Sequence, residues 1–131
     1  MSKKYDRGEA VRRKVLGDAH VDRSQAKQTA FDQPFQELIT ESAWGTVWAS
    51  DAITLRERSM LTLAILAATK NFNEIPMHIR ATANTGATRE DICEVFQHVT
   101  IYAGVPTANH AIQLAKATFA EMDAEAEAAE D

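Results

Sequence analysis

Glu74 and His78 stand four residues apart in "NFNEIPMHIR". On a helix that spacing brings the two Cβ atoms to about 5–6 Å, so the side chains can touch. A carboxylate beside an imidazole favours the protonated ring and orients it, which suits proton transfer near neutral pH. The same pair also reads as a surface i,i+4 pair that steadies a short helix. Spacing alone leaves both readings open. Glu94, His98 and Tyr102 repeat the pattern at i, i+4 and i+8 in "EVFQHVTIY". There His98 is either part of a pocket or a core-edge histidine with a satisfied hydrogen bond. Arg58, flanked by Arg56 and Glu57, could hold a substrate carboxylate with its planar guanidinium. Its plainer reading is a helix-start arginine in solvent.

Metal chemistry fits these residues poorly. The two Glu-x-x-x-His pairs superficially resemble a two-helix carboxylate–histidine site, but the di-iron bundle motif uses Glu-x-x-His with further glutamates. The H-E-x-x-H zinc motif is absent from the sequence. No metal is expected. Cys93 is the only cysteine, which excludes an internal disulfide. Early in an apolar helix, it reads as a small core residue rather than a nucleophile. His110 is expected on the surface of the last helix and His20 in a loop.

The elements that must position these groups read as helices throughout, with no strand-like alternation, internal repeat or interior linker. Val11, Val15 and Leu16 recur at helical spacing before Gly17. "DAHVDRSQAKQ" has no clear apolar period and is expected as a connection. Phe31, Phe35, Leu38 and Ile39 form an apolar stripe between residues 26 and 49, and Gly45 in "AWGTVW" is expected to mark a bend. "TLRE", Thr54 to Glu57, is a capping-box pattern opening a helix to about Thr69. Within it, Met60–Ala68 is apolar nearly all round and should be buried on most sides. In a small chain, that asks a neighbouring subunit for part of the cover. Asn73 is expected to cap the next helix, which ends at Gly86. "TRED" caps another that runs to Gly104, and Pro106 opens the last.

The 131 residues suit one domain with a real core, residues 1–131, and 45% hydrophobic with 25% charged residues argues against disorder. No stretch approaches the ~20 apolar residues of a membrane span. The N-terminus carries charge without an apolar h-region, so no signal peptide is expected and the cytoplasm is the expected compartment. The net charge of −5 is concentrated in the tail. Residues 121–131 hold six acids and no base, leaving 13 acids against 14 bases in the body. A near-neutral body offers no basic surface for nucleic acid. The tail is expected to be a solvated, fraying helix end.

Five ordered blocks resemble the 4-carboxymuconolactone decarboxylases: "VRRKVLGDAHVDR", "AWGTVW", "RSMLTLAIL", "NEIPMHIRATANTGAT" and "QHVTIYAGVPTANHA". The resemblance covers roughly residues 5–120. It implies an all-α, small helical-bundle subunit of the alkylhydroperoxidase D-like type, assembled into a ring-like homo-oligomer, usually a hexamer, with no cofactor. The wider superfamily carries a C-x-x-C-x-x-x-H redox motif, whose spacing falls here on Asn71, Glu74 and His78. Both thiol positions are replaced and the histidine remains. Thiol–disulfide exchange needs two sulfurs, so peroxidase chemistry is disfavoured. His110 stands where the resemblance leads one to expect a small residue.

The implied reaction is decarboxylation of 4-carboxymuconolactone to 4-oxoadipate enol-lactone, in protocatechuate breakdown by the beta-ketoadipate route. For that reaction His78 is the candidate for proton transfer or oxyanion stabilisation, with Glu74 tuning it, Arg58 the candidate for a substrate carboxylate, and His98 and Tyr102 for the rest of the pocket. Two other readings stay open: a redox or peroxidase-type relative, and a non-catalytic oligomeric binding protein on the same scaffold.

Overall fold

Ser2 opens the first helix by accepting a hydrogen bond from the Tyr5 amide at 3.1 Å. From there the computed structural model, which describes residues 2–130, is helical throughout, and no strand occurs among the described residues. Helix α1 is Lys3–Leu16, α2 Asp18–Ala26, α3 Gln33–Ile39, α4 Leu55–Ala68, α5 Ile75–Thr85, α6 Arg89–Ala103 and α7 Val105–Glu130. A π-helical segment, Thr40–Trp48, continues α3, and a 3₁₀ turn, Phe72–Glu74, precedes α5. The chain divides into two compact units, Met1–Leu55 and Arg56–Asp131. Among the described residues no helix is long and apolar enough to cross a membrane.

In the first unit, α1 packs on the π-helical segment. Gly8 and Gly45 make that approach possible. A Cβ at Gly8 would collide with the Thr40 carbonyl, and one at Gly45 with the Lys4 carbonyl. Gly45 is therefore a contact glycine inside a helical segment, not the bend expected from the sequence. Hydroxyls accompany the wider winding. Thr40 Oγ1 donates to Gln36 O at 2.7 Å, Ser42 Oγ to Leu38 O at 2.6 Å and Thr46 Oγ1 to Glu41 O at 3.0 Å. Such back-bonding competes with the regular backbone ladder.

The segment expected as a connection is helix α2. Its period lies in polar residues. Arg13 gathers Asp18 and Asp22, each at 3.0 Å, and donates to Gln25 Oε1 at 3.2 Å, while Val21 is its one buried residue. His20 thus lies on a helix rather than in a loop. The apolar stripe that leads into and along α3 stays largely open: Phe31, before the helix, is 96% exposed, Phe35 and Leu38 are exposed as well, and Ile39 is half-buried.

The second unit holds a core built from α4 to α7, with Leu63, Ile75, Ile79, Ile92 and Phe96 at its centre. On α4 only Ser59, Leu63 and Ala67 are fully buried, a single i, i+4, i+8 face. Leu61 and Ile65 are exposed, so burial on most sides does not occur within one chain. Gly86, at φ 88°, ends α5 in the left-handed region. Thr88 and Asp91 then close a capping box, each side chain meeting the other residue's backbone N–H. Helix α7 continues without a break through the acidic stretch. Arg80 holds Glu121 and Glu125, each at 2.9 Å, and Arg89 holds Asp123 at 2.6 Å. Three of the six tail acids are thereby paired while remaining exposed, so the tail is solvated as expected, but helix in place of a frayed end runs to Glu130, Asp131 lying outside the described residues.

Candidate functional site

Lys70 sets the entry to the site. Its φ of 63° makes it the non-glycine residue in the left-handed region among those described. Lys70 N–H reaches Ala67 O at 3.1 Å and Asn71 N–H reaches Leu66 O at 2.8 Å. This pair of bonds is a Schellman closure, normally given to glycine, and the β-carbon there costs about 1 kcal/mol. The chain then turns through Phe72–Glu74 into α5. Asn73 lies inside that turn and does not cap the helix. Were it the cap, Pro76 would stand at N3, where it has no N–H to offer. Glu74 takes the N-cap position instead, with no side-chain cap bond, and Pro76 falls in the first turn.

His78 lies on the inward face of α5. Ile75, Ile79 and Thr82 share that i, i+3, i+4, i+7 face, and His78 itself is only 8% exposed. Its Nδ1 atom is buried and makes no hydrogen bond with the described residues, while the side chain has other interactions with the protein. Glu74, one turn earlier, is exposed. The candidate pair therefore joins a solvent-facing carboxylate position to a core-facing imidazole.

Arg58 is half-buried near the start of α4. Its neighbour Ser59 is fully buried, and Ser59 Oγ lies 2.7 Å from Thr85 Oγ1. That hydrogen bond ties the Arg58 turn to the end of α5. Arg56 is committed elsewhere: it donates two bonds to Asp91, at 2.8 and 2.6 Å. The Arg56 guanidinium, helped by the Thr88 amide, holds the Asp91 carboxyl well below the usual carboxylate range. The start of α4 is thus fixed to both α5 and α6.

His98 and Tyr102 are brought together, with ring centroids 5.0 Å apart and planes 28° from parallel. They stack on the outer side of α6, whose inward face is Ile92, Val95, Phe96 and Val99. Tyr102 is 80% exposed and His98 is exposed too, so His98 is not a core-edge histidine. Cys93 is also exposed, against its reading as a core residue, because it sits one step off that inward face. His110 is on the surface of α7, as expected, and its ring lies 4.0 Å from that of Phe72. Among the described residues no group of three or more His, Cys, Asp or Glu side chains converges as a metal site.

Sequence reasoning missed the Ser59–Thr85 bond, the Arg56–Asp91 bridge and the strained Lys70. The first two join residues 26 and 35 positions apart. Neither spacing carries a local signal. Lys70 had one weak signal: an apolar run that stops without a glycine.

The sequence model of the carboxymuconolactone decarboxylase family matches residues 33–117. The 4-carboxymuconolactone decarboxylase of Acinetobacter baylyi is 38% identical over 119 residues, covering 91% of this chain and 89% of its own. The nitrosuccinic acid decarboxylase of Metarhizium robertsii is 37% identical over 118 residues, covering 90% of this chain and 82% of its own. A 4-carboxymuconolactone decarboxylase of Pseudomonas putida is 57% identical over 42 residues, 32% of this chain and 88% of its own.

Proposed function

The chain belongs to the carboxymuconolactone decarboxylase family, and on that premise we propose that it decarboxylates 4-carboxymuconolactone to 4-oxoadipate enol-lactone, in protocatechuate catabolism. One observation carries the reading: the 38% identity to a 4-carboxymuconolactone decarboxylase across 91% of the chain. The family match crosses residue 55, which supports treating the two units as one functional domain.

The chemistry needs no cofactor. The departing carboxylate lies gamma to the lactone carbonyl, across a carbon–carbon double bond. As that carbon–carbon bond breaks, its electron pair moves across the double bond to the carbonyl oxygen and carbon dioxide leaves. The dienolate then takes one proton at the carbon alpha to the carbonyl. The substrate is its own electron sink, so the protein has to bind two carboxylates, stabilise the oxyanion and supply the proton.

In this reading His78 supplies the proton or stabilises the oxyanion, and Glu74 tunes it. The buried setting of His78 among Ile75, Ile79 and Thr82 supports the role, because a proton held in an apolar wall goes to a bound ligand more readily than to bulk water. Arg58 binds a substrate carboxylate. His98 and Tyr102 complete the pocket. Both are exposed in one chain, so that role requires a neighbouring subunit to cover them. The open apolar side chains Phe31, Phe35, Leu61, Ile65, Ile101 and Val105 support such an assembly, a ring-like hexamer in this proposal. The protein works in the cytoplasm.

Incubating the dialysed protein with 4-carboxymuconolactone, and separately with nitrosuccinic acid, tests the substrate. A nitro group is also an electron sink, so both acids are chemically able to lose carbon dioxide by this route. The expected result is one carbon dioxide per lactone consumed and a higher kcat/KM for the lactone. A higher kcat/KM for nitrosuccinic acid would move the assignment to that substrate.

A further inference from the structure

Glu74 has no bond of its own to fix its carboxylate. It enters no ion pair among the described residues and stands at the N-cap of α5 without a side-chain bond. Its place relative to His78 therefore follows the backbone of the turn Phe72–Glu74. That turn is entered from Lys70, whose φ of 63° a β-carbon opposes. It is closed by a long bond, Glu74 N–H to Asn71 O at 3.2 Å. Backbone strain of this kind persists only where surrounding contacts hold it. Helix α7 supplies one such contact. The His110 ring lies 4.0 Å from the Phe72 ring, with planes 37° apart. Phe72 is half-buried against the core and His110 is exposed, so the imidazole covers a side of the ring that the core leaves open. No ion pair among the described residues involves His110, which leaves its ring rather than its charge to hold Phe72.

We propose that His110 is a positioning residue for Glu74. Its ring braces Phe72, holds the turn of residues 72–74 against α7, and so keeps the Glu74 carboxylate one helical turn from His78. His110 itself does not touch the substrate. The proposal rests on the role given above to Glu74. A small residue at position 110, which the resemblance leads one to expect, would leave that face of Phe72 open and let the strained turn relax. Tilted ring pairs contribute beyond the area they cover, but only modestly. The brace therefore acts on the sampling of one turn, not on the stability of the whole unit.

Two readouts in the full chain test this. Hydrogen–deuterium exchange by mass spectrometry reports on the turn through a peptide covering residues 70–75. Steady-state kinetics on 4-carboxymuconolactone reports on Glu74. In His110→Ala the turn peptide should exchange about fivefold faster, while peptides from α6 keep the wild-type rate. Its kcat should fall about threefold with KM unchanged. His110→Phe keeps a ring and should restore both. In a Glu74→Gln background, His110→Ala should cost no further kcat, because its effect runs through the carboxylate already removed. Unchanged exchange in His110→Ala overturns the brace. An equal loss of kcat in His110→Phe and His110→Ala shows that the imidazole nitrogens act directly, and overturns it too. So does a full, additive loss in the Glu74→Gln background, or a raised KM at unchanged kcat. Wild-type kcat in Glu74→Gln alone removes the role of Glu74 instead, and the exchange result then decides the brace by itself.

Discussion

His78 is where the proposed chemistry and the core meet. Its four-residue spacing from Glu74 is visible in the sequence, and so is its place beside Ile75 and Ile79 on one helical face. The proposed roles separate by kinetics. Glu74→Gln keeps the shape and removes the charge, so it should lower kcat by on the order of tenfold with little change in melting. Arg58→Lys keeps the charge and loses the fork, so it should raise KM more than it lowers kcat. Steady-state kinetics on the two variants checks both, and the reverse pattern would exchange their roles. Other residues were less legible. Cys93 reads as buried because Ile92, Val95 and Phe96 crowd it in sequence, yet a 100° step per residue carries it outside their face. Arg56 and Arg58 look equivalent as neighbours. Only the fold reveals that Asp91 takes the first.

Within each unit, elements are held together through contacts that local pattern does not encode. Gly45 reads as a bend in sequence and is a backbone-to-backbone contact in the fold. Gly45→Ala should therefore destabilise the protein by about 2–3 kcal/mol in urea unfolding, because the new Cβ meets a carbonyl that cannot rotate away. A change of only about 0.5 kcal/mol or less would return Gly45 to an ordinary turn residue. Helix α2 was missed for a related reason: its ordering residues are Asp18, Asp22 and Gln25 around Arg13, and apolar periodicity cannot register a polar face. One cap was legible, since Thr88 and Asp91 form the capping box their spacing announces, whereas Asn73 does not cap α5. Asp91 also carries a pH signature. Its folded pKa is depressed by Arg56, so its contribution is present above the unfolded carboxyl value near 4 and is lost as pH falls below it. In Asp91→Asn, stability should be lower at neutral pH, and its curve should meet the wild-type curve in acid. Parallel curves from pH 7 to 2 would deny the bridge that role.

At the scale of the whole molecule, the all-helical architecture was legible because helical periods, caps and stop glycines agree along most of the chain. The distribution of exposed apolar surface was legible only in part. Ile65, 60% exposed, lies in the run for which a neighbouring subunit was expected, whereas Phe31, 96% exposed, reads in sequence only as part of an apolar stripe. Their exposure leads to the expectation of several copies in solution. Light scattering at micromolar concentration should give a mass several times 14.5 kDa, and a monomer would remove the cover proposed for His98 and Tyr102. The decarboxylase itself is tested most directly by carbon dioxide release from 4-carboxymuconolactone, measured side by side for the wild-type chain and His78→Ala. The wild type should release one carbon dioxide per lactone without added metal or cofactor, and His78→Ala should be slower by on the order of 10²-fold or more at unchanged melting. No release from the wild type, or release at the wild-type rate from His78→Ala, would contradict a decarboxylase built around His78.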